Sequence, residues 1–376
     1  MNEQIKINWY RSKIDKEIMR ELMKPSDFRG LCQTVPQLAL FAATGTLAYL
    51  AFRNVHTTNW PWSVPLLLAA LFVHGTFNGF LGLVAVHELC HKTPFRTKAL
   101  NEFVLKVFSF ISWSDYVGFR ISHVKHHQVT VHKDHDGEVV LPQTLDWQSV
   151  KFFLAQLVPF PFLNVPNAPL RFFKGFFGHM RAWAGAARGD IKDATFKAEW
   201  ITKVMPESNV AARREHRRWA RIVLFGHLAL AILFIATGHW FLIFIFTFGC
   251  FYSGWLVLLC GIPQHIGLSP NVPDFRLCCR TYTCNWLPAF LYWNMQYHVE
   301  HHMFPAVPFF NLPKLRQAIA YDLPPAPHGL WATWKEIIPI LKKQKEDPNY
   351  VFVPKLPGVS GDRISDEIIE LEAAAA

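Results

Sequence analysis

The sequence predicts an all-α integral membrane protein, with four transmembrane helices and a cytoplasmic helical cap that carries clustered histidines. Three observations lead there. Hydrophobic residues make up 51% of the 376 and charged residues 18%, and the charges lie in blocks between uncharged runs, as in a chain whose solvent is partly lipid. Four apolar runs, at about residues 35–52, 64–86, 219–237 and 240–260, are long enough to cross ~30 Å of hydrocarbon at ~1.5 Å per residue. Histidines gather beside the ends of those runs.

Residues 1–34 precede the first run. Over residues 1–31, Trp9, Tyr10, Ile14, Ile18, Met19 and Leu22 fall on one approximate helical side, which predicts an amphipathic helix on the membrane surface. Lys6, Arg11, Lys13 and Lys16 accompany no apolar signal-peptide core, so this end is expected to stay cytoplasmic. The second run holds His74, Gly75, Asn78, Gly79 and Gly82, small or hydrogen-bonding residues that let a neighbouring helix approach closely. Asn101 to Trp113 is apolar but too short to cross. Val150 to Ala187 is rich in Phe and Trp, yet Pro159, Pro161, Pro166 and Pro169 interrupt it, which predicts helices in the headgroup plane. Gly238 and His239 alone join the last two runs, so these form a tight antiparallel pair. A membrane domain over 35–315 thus holds spans and histidines together. A charged cytoplasmic tail comes after it over 316–376, poorly ordered from about Gly358.

The connections between paired runs hold Arg53 and no other Lys or Arg, whereas the central segment carries Lys92, Arg96, Lys98, Lys106, Arg120 and Arg213, Arg214, Arg217, Arg218, Arg221. By the positive-inside rule both termini and the central segment are cytoplasmic. The formal charge of +10 fits attraction to anionic membrane lipids, or a docking surface for an acidic redox carrier. It does not indicate nucleic-acid binding, because no recognition module accompanies it. The seven cysteines form no CxxC pair and read as reduced, packed thiols.

The histidines form three boxes: His87-Glu88-Leu89-Cys90-His91, His123-Val124-Lys125-His126-His127 and His298-Val299-Glu300-His301-His302. Positions i, i+3 and i+4 share a helix face, so each HxxHH box can aim three imidazoles at one point, and HxxxH two. Alone, the first box is also the signature of a zinc metalloprotease with Glu88 as base, and a lone HxxHH fits a polar helix face. A protease would leave His126 and His301 dispensable. A transporter or a non-catalytic metal-binding protein would yield no oxygen-dependent product. Three boxes on one predicted face demand metal. Eight ligands exceed the four of a zinc site, whereas two irons with open positions for oxygen use them all. Glu88, Glu300, Asp136, Glu138 and Asn294 are candidates to fix ligand orientation, Asn294 by holding a water on iron. His132 and His135 read as loop or supporting residues. His56, His179, His216, His227, His239 and His328 read as surface or packing residues.

The run Asn294-Met295-Gln296-Tyr297-His298-Val299-Glu300-His301-His302-Met303-Phe304-Pro305, continued by Pro308 and Leu312, resembles the third box of the membrane fatty acid desaturase and hydroxylase superfamily. The resemblance extends from the second apolar run to Leu315. It implies a cytoplasmic cap over a two-iron site, with O2 as co-substrate and an elongated apolar substrate entering along the membrane. It also implies a further ligand before the third box, where His265 comes directly after Gln264. The expected activity is desaturation of a fatty acyl chain. The alternative is a hydroxylase or ketolase of an alkyl chain, a carotenoid or a small amphiphile. No His-Pro-Gly-Gly haem motif, ferredoxin cysteine spacing or GxGxxG turn is present, so a separate ferredoxin, rubredoxin or cytochrome b5 with its reductase is expected to bring electrons.

Overall fold

The computed structural model describes residues 6–138, 168–191, 198–251 and 254–357. Among these the regular structure is helical, apart from the isolated bridges Leu268–Phe352 and Thr283–His328.

Residues 6–15 form no regular element, and helix α1 (Lys16–Leu22) starts only where Asp15 accepts hydrogen bonds from the Glu17 and Ile18 amides. The single amphipathic helix expected over residues 1–31 is therefore an arm and then a short helix. Its aromatic residues find partners within the protein: Trp9 stacks on Phe275 at 4.0 Å and donates through Nε1 to the Gln128 carbonyl, and the Tyr10 amide donates to Pro273. Trp9 is half-buried by these contacts, whereas Tyr10 stays exposed. Helix α2 (Asp27–Arg53) begins at a Ser26 cap, so it runs through the expected boundary at residues 34 and 35.

Helix α3 (Trp60–Cys90) has Pro61 in its first turn, where a missing amide costs nothing. His74 ties it to its neighbours as expected, through Nδ1 to Thr44 Oγ1 at 2.9 Å and Nε2 to the Ile245 carbonyl at 3.2 Å. Leu81–Ala85 form a π turn just ahead of the first box. One extra residue in a turn rotates the remainder of the helix by ~100°, which re-aims His87 and His91 relative to the membrane-facing part of α3. Helix α4 (Lys98–Ile111) is ~21 Å long, short of the ~30 Å needed to cross. Its Asn101 Nδ2 donates to the Leu89 carbonyl and so braces the end of α3. Helix α5 (Tyr116–Val129) is capped by Asp115 and carries the second box.

The expected headgroup-plane helices over Val150 to Ala187 lie outside the described residues as far as 167; helix α6 (Ala168–Arg188) comes next, held to its neighbour by Arg221 donating to the Ala187 carbonyl. After the short helix α7 (Ala198–Val204) comes α8 (Val210–Ala236), whose arginine-rich start passes into an apolar body. It closes at Gly238, φ +75°, with the His239 amide bonded to the Phe234 carbonyl.

Helices α2, α3 and α8 are long and apolar enough to cross a membrane. The fourth run, expected to be continuous over residues 240–260, is broken among the described residues into a π turn (Ile243–Thr247), a 3-10 turn (Gly249–Phe251) and helix α9 (Trp255–Gly261). Close contacts explain the break. A Cβ on Gly249 would meet Asn78 Nδ2 at 2.7 Å, and a Cβ on Gly79 would sit 3.5 Å from Gly254 Cα, so the backbone is drawn against α3 where a regular helix would hold it off. Hydropathy read the run's apolar character and not this irregular path.

The remaining chain folds beside α4 and α5 as α10 (Phe275–Cys278), α11 (Trp286–Leu291), α12 (His298–Met303), α13 (Leu312–Ala318) and α14 (Leu330–Glu346), with the third box on α12. Leu89, Leu105, Phe108, Trp293, Val299, Met303 and Leu312 form a core that joins this part to α3. The tail from Gly358 lies outside the described residues.

The Gly249 contact makes a prediction. Gly249→Val overpacks the site against Asn78 and His74 and should destabilise the fold by about 1–3 kcal/mol. The check is a lower thermal midpoint of the detergent-solubilised protein.

Candidate metal centre

Nine imidazoles from α3, α5, α12 and the turn after α9 meet where these elements converge. The ligating atoms of His87, His91, His123, His127 and His301 all lie within 4.8 Å of one another, and so do those of His265, His298, His302 and Cys279. Facing nitrogens are close: His87 Nε2 to His301 Nε2 is 3.0 Å, His91 Nε2 to His123 Nε2 is 3.0 Å, His127 Nε2 to His123 Nε2 is 2.9 Å, and His298 Nε2 to His265 Nε2 is 2.9 Å. Two imidazole nitrogens each ~2.1 Å from one ion at a right angle stand ~3.0 Å apart, so this spacing is that of metal ligands. His126 belongs to neither group, but its ring lies 4.9 Å from that of His302 and 5.7 Å from that of His265, at the edge of the second. His127 and His302, with rings 4.3 Å apart, join the two groups.

The far nitrogens show why these atoms face inward. Glu138 bonds His123 Nδ1 with one oxygen and receives the Ser122 hydroxyl with the other. Asp136 accepts from His126 Nδ1 at 2.8 Å and from the Val131 amide at 2.8 Å. His265 Nδ1 donates to the Cys278 carbonyl at 2.9 Å. Thr130 gives its hydroxyl proton to the His126 carbonyl, so it accepts from His302 Nδ1 at 3.1 Å. Each such bond places the proton on Nδ1 and the lone pair on Nε2. His302 Nε2, the ligating atom, is buried without a partner. Gly137, between the two carboxylates, lets the Trp200 ring pack closely on this turn, since a Cβ there would meet that ring at 2.5 Å.

Burial, then the neighbouring imidazoles, push His123, His127, His298, His301 and His302 well below the usual histidine range, and His91 and His265 to about 4. These rings are therefore neutral near pH 7, the form that binds metal. At His126 burial is outweighed by Asp136, and its pKa rises to about 8. Burial raises Glu138 to about 7.

Of the residues proposed to orient ligands, Asp136 and Glu138 sit against them, and Glu88 Oε1 lies 3.6 Å from His301 Nδ1. Glu300 is placed otherwise. Its oxygens are taken by Arg316 Nη1 at 2.5 Å and Thr281 Oγ1 at 2.6 Å, so it fixes α12 as a body. Asn294 is engaged by Gln296 Nε2 at 3.4 Å, and the cavity wall passes through Met295 and His298 without it. His132 and His135 stay in the turn after α5. Sequence reasoning missed Thr130, the Cys278 carbonyl and Cys279, whose partners are far along the chain.

A cavity of about 630 Å³ runs beside the imidazoles, lined by His87, His123, His126, His265 and His298 and by apolar residues including Leu83, Val84, Phe119, Val257 and Leu258. It tracks α3 from His87 to Asn78, ~13 Å at ~1.5 Å per residue. At Asn78 both amide atoms are buried and without partners.

Residues 59–334 match a family model described as fatty acid desaturase. The chain belongs to the fatty acid desaturase family. Among curated proteins, the Delta(6)-fatty-acid desaturase fat-3 of Caenorhabditis elegans is 23% identical over 307 residues, which cover 75% of this chain and 63% of that protein. Alkane 1-monooxygenase 1 of Pseudomonas aeruginosa is 31% identical over 131 residues, 35% of this chain and 30% of that protein. The chain thus spans less than two thirds of either relative. Fatty acid desaturase membership accounts for all three boxes together, which the metalloprotease reading of His87, Glu88 and His91 does not.

Two substitutions test the centre. Glu138→Gln keeps the shape but replaces the acceptor of His123, and metal retention should fall about 10- to 100-fold, measured by metal analysis after graded chelation. His302→Ala should abolish turnover while leaving the helical circular dichroism of the protein intact.

Proposed function

We propose that this chain is a membrane-bound, O2-dependent diiron oxidase that introduces a C=C bond into the acyl chain of a lipid. The observation that carries the reading is the pairing of two adjoining imidazole groups with an apolar cavity at whose wall they lie. Two irons held there by His87, His91, His123, His126, His127, His265, His298, His301 and His302 would activate dioxygen and remove hydrogen from an unactivated C–H bond.

The protein's own part is to hold and exclude. Leu83, Val84, Phe119, Val257 and Leu258 supply an apolar wall that favours an alkyl chain over water. Asp136 and Glu138 keep the ligand nitrogens aimed, so the chain is presented to a fixed centre. Leu83 and Val84 of the π turn of α3, and Gly254, Val257 and Leu258 after the break in the run that follows α8, lie in the cavity wall. In the proposed orientation the boxes, both termini and the arginines of α8 lie on the cytoplasmic side, with four crossings completed by the broken run. An acidic ferredoxin, rubredoxin or cytochrome b5 would supply electrons from that side.

The partial likeness to an alkane monooxygenase favours a second reading, hydroxylation of an alkyl chain on the same architecture. The two differ in how the chain lies against the centre. Mass analysis of lipids from cells with and without the active protein separates them. Loss of two hydrogens supports desaturation, and gain of one oxygen replaces it with hydroxylation. An unchanged lipid profile despite an oxygen and electron supply contradicts both.

A further inference from the structure

The second imidazole group contains a thiol. Cys279 Sγ lies with the ligating atoms of His265, His298 and His302, all within 4.8 Å of one another and all four residues buried. A metal–thiolate bond of ~2.3 Å opposite a metal–imidazole bond of ~2.1 Å puts sulfur and nitrogen ~4.4 Å apart, so the group needs little contraction to close on one ion. The local backbone builds this arrangement. Cys279 ends α10 in extended conformation, with its amide on the Phe275 carbonyl, and the preceding carbonyl, that of Cys278, orients the His265 ring. One dipeptide therefore fixes a ligand and presents another. The first group has five imidazoles and no thiol.

We infer that Cys279 is a thiolate ligand of the second metal ion, so that the two ions of the centre are chemically unequal. The inference rests on the diiron reading above. Binding replaces the S–H bond with an S–metal bond and releases the proton to solvent, with no change of oxidation state. The sulfur brings one negative charge to an otherwise neutral ligand set and stabilises the more oxidised form of that ion. Cys278 Sγ, 3.9 Å from Cys279 Sγ, is placed to donate a weak hydrogen bond that tempers this charge.

The purified full chain loaded with Co(II) tests it, because a cobalt–thiolate bond gives a near-ultraviolet charge-transfer band that imidazoles do not. The expected result is that band in the wild type, its loss in Cys279→Ala and Cys279→Ser with cobalt still bound, and its retention in Cys278→Ala. The serine variant serves if the alanine variant does not fold. A wild type that binds about two Co(II) without the band, or a band that survives both Cys279 substitutions, overturns the inference and leaves the diiron reading standing. A wild type that binds no cobalt and no iron overturns both.

Discussion

Imidazole nitrogens brought to 2.9–3.0 Å with their lone pairs facing, in a protein interior, form an arrangement that a cation resolves and an empty space does not. Glu138, the Cys278 carbonyl and Thr130 hold the Nδ1 protons of His123, His265 and His302, rings that burial keeps neutral, so that their Nε2 lone pairs point inward. The rest of the fold serves that convergence. The π turn of α3 re-aims the first box, the Asp115 cap starts the helix of the second, and the Glu300–Arg316 pair holds the helix of the third. An error of ~1 Å in any of these would spoil a shared coordination sphere.

The same demands shape the apolar half of the molecule. The cavity beside the imidazoles has an apolar part, and Gly254, where the run after α8 meets α3, belongs to its wall. Asn78, with two unsatisfied amide atoms, lies in that wall together with other polar residues such as Ser112 and Gln264.

Much of this was legible in the sequence where local spacing carries the information. The HxxHH spacing of His123 and His298 predicts shared helix faces, and the structure has them on α5 and α12. Asp136 and Glu138 were recognisable as acids close after the second box. His265 was accessible only through family resemblance, since nothing beside it marks a ligand. Glu300 misled because its place inside a box suggested a ligand partner, whereas its oxygens face Arg316 and Thr281, contacts made by tertiary packing. At Trp9 the apolar pattern marked a ring that packs on Phe275, because an amphipathic pattern does not say which surface a face meets. Thr130 and Cys279 gave no local signal, because each is defined by a residue far along the chain.

Whether the histidines hold two irons is decided by metal analysis of the purified full chain, grown with iron and freed of loosely bound ions. About two irons per chain and negligible zinc are expected. A single zinc per chain, or no metal retained after anaerobic loading with Fe(II), would contradict the two-iron reading.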